Sequence, residues 1–269
     1  MKFEYQYIES NYRGYDGVFF DEREFQIILK NEVKNNLIDK LQRDEMLNIL
    51  KALKEETGFE YSETLLIDIQ LIQKKNVKVW EFRIGEALAE VVLGKNFSCR
   101  FYWNELRDAR NPQGNKTGAD LVGFIEIDRD VLFLFGEVKT SSETKTPPQV
   151  MLNRSGIEKQ LKDLYDDSNK RLLLISYIQN KIGLISNSNF KQDFDNAVKN
   201  YYKENNQKYL LYGVLIRDTV PKEGDIKNSF NDLKEKILEP IGLKLLAIYS
   251  SIPKERWLEI INEVDNDSN

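Results

Sequence analysis

The sequence predicts an α/β protein: a mixed sheet flanked by helices on both faces, with an α-rich N-terminal extension over residues 1–75 and the main domain over 76–269. Three observations carry this. The 269-residue chain, 41% apolar and 31% charged, is long enough for a full core and too apolar to be disordered. Strand-length apolar runs alternate with helix-period segments through its second half. Two of those runs, Leu121–Ile127 and Val131–Val138, are joined by the polar Asp128-Arg129-Asp130 and read as a hairpin.

From the N-terminus, residues 1–20 are aromatic and short-patterned, with Val18-Phe19-Phe20 a strand. From Asp21 to Glu56 apolar residues recur at helical steps (Ile28, Val33, Leu37, Leu41, then Met46, Leu50, Leu53), and Gly58 is the expected stop. Leu65–Leu71 alternates through Ile67 and Ile69 and fits either strand or helix. The next helix spans Val77–Leu93, with Trp80, Ile84, Leu88 and Val91 on one stripe and Gly94 at its end. Residues 95–119 are irregular. After the hairpin come a loop over Thr140–Pro148, a helix near Gly156–Asp167 and a buried strand over Arg171–Ile178. Helices near 188–203, 228–238 and 254–263 then alternate with strands Tyr209–Ile216 and Leu243–Tyr249.

Composition narrows the chemistry. The chain contains no histidine, which removes imidazole-based hydrolysis and imidazole zinc sites. Its one cysteine, Cys99, removes internal disulfides, four-cysteine zinc sites and iron–sulfur clusters. Carboxylates, lysine, arginine, hydroxyls and a hard metal remain. The net charge of −5 is not that of a global nucleic-acid binder, so any basic surface must be local. MKFEYQYIES lacks the apolar core of a signal peptide, and no apolar stretch is long enough to span a bilayer, so a cytoplasmic protein with no membrane partner is expected.

One constellation can carry such chemistry. Asp120 opens the first hairpin strand, and Glu137-Val138-Lys139 closes the second. Antiparallel pairing brings these ends together, and residues two apart on a strand share a face, so Glu137 and Lys139 emerge side by side while Val138 points inward. Two carboxylates with a lysine beside them suit Mg²⁺, which takes oxygen ligands, keeps several waters and serves phosphodiester hydrolysis. The triplet alone decides nothing: acid-x-Lys occurs five times, and only this copy closes an apolar strand opposite an acidic partner. The alternative is an ordinary salt bridge at a sheet edge. A third acid is expected from the helix over 77–93. Glu86, beside Gly85, is preferred because the missing side chain lets other groups come close; Glu90, one turn on, stays open.

Local charge fits a phosphate-rich ligand. Between residues 94 and 119, Lys95, Arg100, Arg107, Arg110 and Lys116 outnumber Glu105 and Asp108. Between 139 and 162, Lys139, Lys145, Arg154, Lys159 and Lys162 outnumber Glu143 and Glu158. Ordinary surface charge is the other reading. Gly114-Asn115-Lys116-Thr117 is not a phosphate-binding loop, since Lys does not follow Gly and no strand precedes it, so no nucleotide is expected on this chain. Gln160 and Tyr165 are five apart, one too many for a shared helical face, and carry little.

Asp120 with Glu137-Val138-Lys139, an upstream helix bearing Glu86 and an αβ tail resembles the PD-(D/E)xK nuclease superfamily, the restriction-endonuclease-like fold. Ala119 stands where that pattern has a non-ligating proline. The longer runs Gly118-Ala119-Asp120-Leu121-Val122-Gly123-Phe124, Phe135-Gly136-Glu137-Val138-Lys139-Thr140 and Gly85-Glu86-Ala87-Leu88-Ala89-Glu90 resemble the HamA family, nuclease subunits of bacterial Hachiman antiphage defence. The resemblance covers about residues 77–250. It implies a DNA nuclease restrained by a helicase subunit, HamB, until infection disturbs DNA, with the ATP-driven step in that partner. It further implies that Asp120, Glu137 and the Val138 carbonyl bind Mg²⁺, or Mn²⁺ in its place, with Glu86 helping and Lys139 orienting or deprotonating the attacking water. Two rivals stand beside it: a nuclease-like scaffold that binds DNA or a partner without cutting, and a restriction or repair nuclease of the same fold.

Overall fold

The structure, a computed structural model, describes residues 1–57, 63–73, 81–108, 118–185, 187–203 and 208–263. The chain opens with strands β1 (Lys2–Ser10) and β2 (Arg13–Phe20), then α1 (Glu22–Ile28), which runs through a π-turn into α2 (Lys34–Leu37). Helices α3 (Lys40–Thr57), α4 (Glu63–Gln73) and α5 (Glu81–Asn96) lead to the two-residue strand β3 (Cys99–Arg100). The hairpin β4 (Leu121–Ile127) and β5 (Asp130–Ser141) is followed by α6 (Gln149–Leu152), α7 (Ile157–Asp166), α8 (Ser168–Lys181) and α9 (Ser188–Tyr202). Strand β6 (Leu210–Arg217), α10 (Lys227–Lys236), β7 (Gly242–Ser250) and α11 (Trp257–Asn262) complete the order.

The strands form one seven-stranded sheet in the order β1-β2-β7-β6-β5-β4-β3. β2, β7, β6 and β5 are parallel, with antiparallel strands at both flanks. The parallel strands are covered on both faces, which is why β6 is buried along its whole length and reads as a continuous apolar run. One face packs Phe25 and Leu29, Leu88 and Leu93 of α5, and Trp257 against Val214 and Leu246. The other packs Leu161 and Leu164 of α7, Phe194 of α9 and Phe230 of α10 against Phe133, Leu211 and Leu245. This is the α/β sheet with helices on both faces that the sequence predicts.

The hairpin forms as expected, but its turn uses two residues rather than three. Asp128 and Arg129 both have positive φ (53° and 70°), and Ile127 pairs with Asp130, the geometry of a tight primed turn whose twist matches the strands.

Three expectations are corrected. The first twenty residues are not part of an α-rich extension: β1 and β2 are strands of the main sheet, and β2 pairs in parallel with β7 along its whole length. The helical content of the N-terminal region begins at Glu22. Second, Arg171–Ile178 is not a strand but the middle of α8. Its buried residues Arg171, Leu174, Ile175 and Ile178 fall at helical spacing, while Leu173 is 70% exposed. Third, Gly94 does not end α5, which continues to Asn96. The ambiguous stretch Leu65–Leu71 lies within α4. Gly58, Val77 to Trp80 and Gly114 to Thr117 lie outside the described residues. Among the described residues no helix is long and apolar enough to cross a membrane.

Helix α8 starts where it does because the Asp167 carboxylate accepts from the Asn169 and Lys170 amides, at 2.9 and 3.2 Å. Asp167→Ala should cost about 1 kcal/mol and lower the melting temperature by about 2–4 °C, read by thermal unfolding. An unchanged melting temperature would show that tertiary contacts alone hold this helix end.

Candidate active site

β5 outlasts β4. The ladder between them begins at Leu121 and Gly136, so beyond Gly136 the β4 side of β5 has lost its partner strand. Asp120 takes over this edge. Its amide donates to the Gly136 carbonyl at 3.0 Å, and its carboxylate Oδ2 accepts from the Val138 amide at 3.0 Å. The acid therefore satisfies a backbone donor that strand pairing has abandoned, and is fixed in place by doing so. On its other side β5 stays paired with β6, from Leu134 with Leu210 to Ser141 with Arg217. Gly136 makes that pairing close: a Cβ there would lie 2.3 Å from the Tyr212 carbonyl oxygen.

Alternation along β5 then sorts the triplet. Val138 joins the core, while Glu137 and Lys139 point to the opposite face. The Lys139 ammonium is ion-paired with Glu137 Oε1 and lies 3.6 Å from Asp120 Oδ2. Burial raises the Glu137 carboxyl to about 7, and Asp120 adds to this while Lys139 opposes it. For Lys139, burial works against the charge, but Glu137 and Asp120 outweigh it and hold its pKa above the ordinary value. The lysine is an internal counter-ion here, not a neutral base.

The helix α5 comes against β5 at Gly85, where a Cβ would meet Thr140 Oγ1 at 2.7 Å. That close approach carries Glu86 to Asp120. Burial, then Asp120, raises Glu86 to about 7, against an ion pair to Arg83 at 2.5 Å. Glu90 is also raised to about 7, by burial first, and accepts from the Asn36 side chain at 2.8 Å. Glu86, Glu90 and Asp120 line one cavity of about 20 Å³, room for about one water-sized species. Glu105, which the sequence reading counted only as a surface charge, lines it too. The structure thus brings Asp120, Glu137 and Lys139 into contact and sets Glu86 on the other side of Asp120. Among the described residues no three carboxylates converge closely enough to hold one ion. The donors that fit a divalent ion are the Asp120 and Glu137 carboxylates with the Val138 carbonyl, a hard set that leaves positions for water, as Mg²⁺ requires.

The local excess of cations is mostly internal. Lys95 pairs with Glu32, Arg100 with Asp193 and Glu126, and Arg107 with Asp39. Lys159 and Lys162 pair with Asp163 and Asp166 one turn on. Arg110 and Lys116 lie outside the described residues. Lys145 and Arg154 are exposed and have no acidic partner among the described residues. Gln160 and Tyr165 do not form a pair facing the site: the Tyr165 hydroxyl accepts from the Leu238 amide at 3.5 Å.

A family model described as HamA matches residues 83–262, a span that contains Glu86, Asp120 and Glu137 to Lys139. No curated protein matches the chain.

Proposed function

The chain belongs to the HamA family, a subunit family of Hachiman antiviral defence, and from this premise we propose that it is a Mg²⁺-dependent DNA nuclease controlled by a helicase partner. The observation that carries the reading is the β5 edge. Asp120 is locked onto the Val138 amide, and the Glu137 carboxyl sits beside it, raised to about 7 by burial and then by Asp120. In this reading Asp120, Glu137 and the Val138 carbonyl hold Mg²⁺ or Mn²⁺, with Glu86 acting directly or through water. A divalent ion held there would supply Lewis-acid activation of water and would offset charge on the scissile phosphate. Lys139 gives up its pairing with Glu137 to orient the attacking water and to stabilise charge on the pentacoordinate phosphate. Exposed Lys145 and Arg154, on the loop and turn after β5, contact the DNA backbone.

The helicase supplies the ATP-driven step, and this chain hydrolyses no nucleoside triphosphate. Contact with it falls to the region before residue 76, where Leu41, Met46 and Ile49 of α3 expose apolar side chains. The protein works in the cytoplasm. The Lys139 ion pairs also suit a silent scaffold of the same fold. Cleavage of plasmid and linear DNA by the purified chain, with Mg²⁺ or with EDTA, separates the two readings. If the chain alone is silent, the assay is repeated with the helicase and ATP, and silence then favours the scaffold.

Metal binding has a pH signature that does not need turnover. Glu137 and Glu86 have folded-state pKa values raised from 4.5 to about 7, so the folded chain holds protons that the unfolded chain has released. Their contribution to stability is full below 4.5 and falls as pH rises towards about 7. A divalent ion binds only the deprotonated forms and restores what was lost. Mg²⁺ should therefore raise the melting temperature more at about pH 8 than at about pH 5.5. Equal shifts at both values would remove these carboxyls as ligands.

A further inference from the structure

The two edges of the sheet approach each other at both ends of β1. Phe3 packs edge-on against Phe97, with ring centroids 6.3 Å apart, and the Asn11 side chain donates to Asp128 at 2.8 Å. Between these contacts lies a cavity of about 370 Å³ that shares no lining residue with the candidate active site. Its walls include Phe3 and Ile8 of β1 and Ile127 of β4; Phe3 is 47% and Ile8 66% exposed. Asp16 of β2 and Lys244 of β7 also line it, and Gln6 donates to the Asp16 carboxylate at 2.7 Å.

Lys244 is out of character for its strand. Every other residue of β7 is buried, and among the described residues the Lys244 side chain makes no hydrogen bond or ion pair. Burial holds its pKa below the ordinary value, and the attraction of Asp16 does not offset that. Its register neighbour on β6 is Tyr212, whose fully buried hydroxyl also has no partner among the described residues. A half-buried ammonium without an acceptor is costly where a leucine would pack. An anionic group in the cavity would remove that cost, and the volume falls within the range of small-ligand sites.

We propose that this cavity binds a small organic anion, a phosphate- or carboxylate-bearing molecule whose head pairs with Lys244 and whose apolar body lies against Phe3, Ile8 and Ile127. The test uses the full chain and the aromatic anion 8-anilinonaphthalene-1-sulfonate, followed by its fluorescence. Saturable one-to-one binding is expected, with Kd below about 100 µM. Lys244→Met should weaken it by about tenfold or more, and Lys244→Arg by less than about threefold. Ile8→Trp changes an exposed position on an edge strand and should fill the cavity and abolish binding; melting temperatures establish that each variant is folded. Competition identifies the source of the anion. Displacement by thymidine 5′-monophosphate alone assigns a nucleotide, by octanoate alone an aliphatic carboxylate, and by both a site that reads only charge and size. The proposal is overturned by displacement with neither, by the absence of saturable binding, or by a folded Lys244→Met chain that binds like the wild type.

Discussion

The chain carrying Glu137→Ala and Lys139→Ala should lose metal-dependent DNA cleavage by about 10³-fold or more while remaining folded, a loss of about 4 kcal/mol of transition-state stabilisation. The size follows from removing together a proposed ion ligand and the lysine that is ion-paired with it. The intact fold follows from charge. Glu137 and Lys139 are each other's nearest counter-ions, so removing both leaves neither one unpaired. Asp120 keeps its bond to the Val138 amide. Lys139→Ala alone is the harsher change for stability, because the buried Glu137 then faces the Asp120 carboxylate without the ammonium it is paired with. The comparison therefore needs both variants, assayed on supercoiled and linear DNA in Mg²⁺ and in EDTA, with thermal unfolding beside each. The double variant cutting at the wild-type rate would place the chemistry elsewhere. A double variant less stable than Lys139→Ala would show that the counter-ion argument is wrong.

What could be read from the sequence was local. Glu137, Val138 and Lys139 are sorted by strand alternation, and Asp120 is brought to them by a hairpin whose turn is polar and short; none of this needs a distant partner. The errors lie where a pattern is ambiguous or a contact is remote. Arg171 to Ile178 contains Leu172-Leu173-Leu174-Ile175, which reads as a buried strand, yet Leu172 and Leu173 face solvent on α8. β2 finds its place through β7, more than two hundred residues later, and no window of sequence reports such a pairing. Glu105 enters the acidic cavity because its loop is tied down remotely. Asn104 donates to the Asn36 carbonyl at 2.6 Å, and Arg107 is paired with Asp39. The cations misled for the same reason: the acid that neutralises Arg100 is Asp193, on a helix from another part of the chain.

The largest loss of stability from a single substitution is expected at Asp225, and it should reach the candidate active site. Arg217 ends β6 and Asp225 lies beyond it; both side chains are almost completely buried, 2.5 Å apart. Asp225 also accepts from the Tyr249 hydroxyl at 2.9 Å. The Arg217 guanidinium in turn donates to the carbonyls of Glu143, and of Lys145 at 3.3 Å, on the loop that leaves β5 just after Lys139. Removing the acid leaves a guanidinium buried without its counter-ion, a situation that costs about 3–5 kcal/mol. Asp225→Ala should therefore lower stability by about that amount, measured by denaturant unfolding. Arg217→Met/Asp225→Leu removes both charges and should recover much of the loss, because no unpaired charge remains and the volume is kept. The two readouts then part. The double variant regains stability but lacks the donors that hold Glu143 and Lys145, so any DNA cleavage should show a raised KM before a lowered kcat. Full recovery of both stability and KM would reduce the buried pair to a packing role and detach it from the loop beside Lys139.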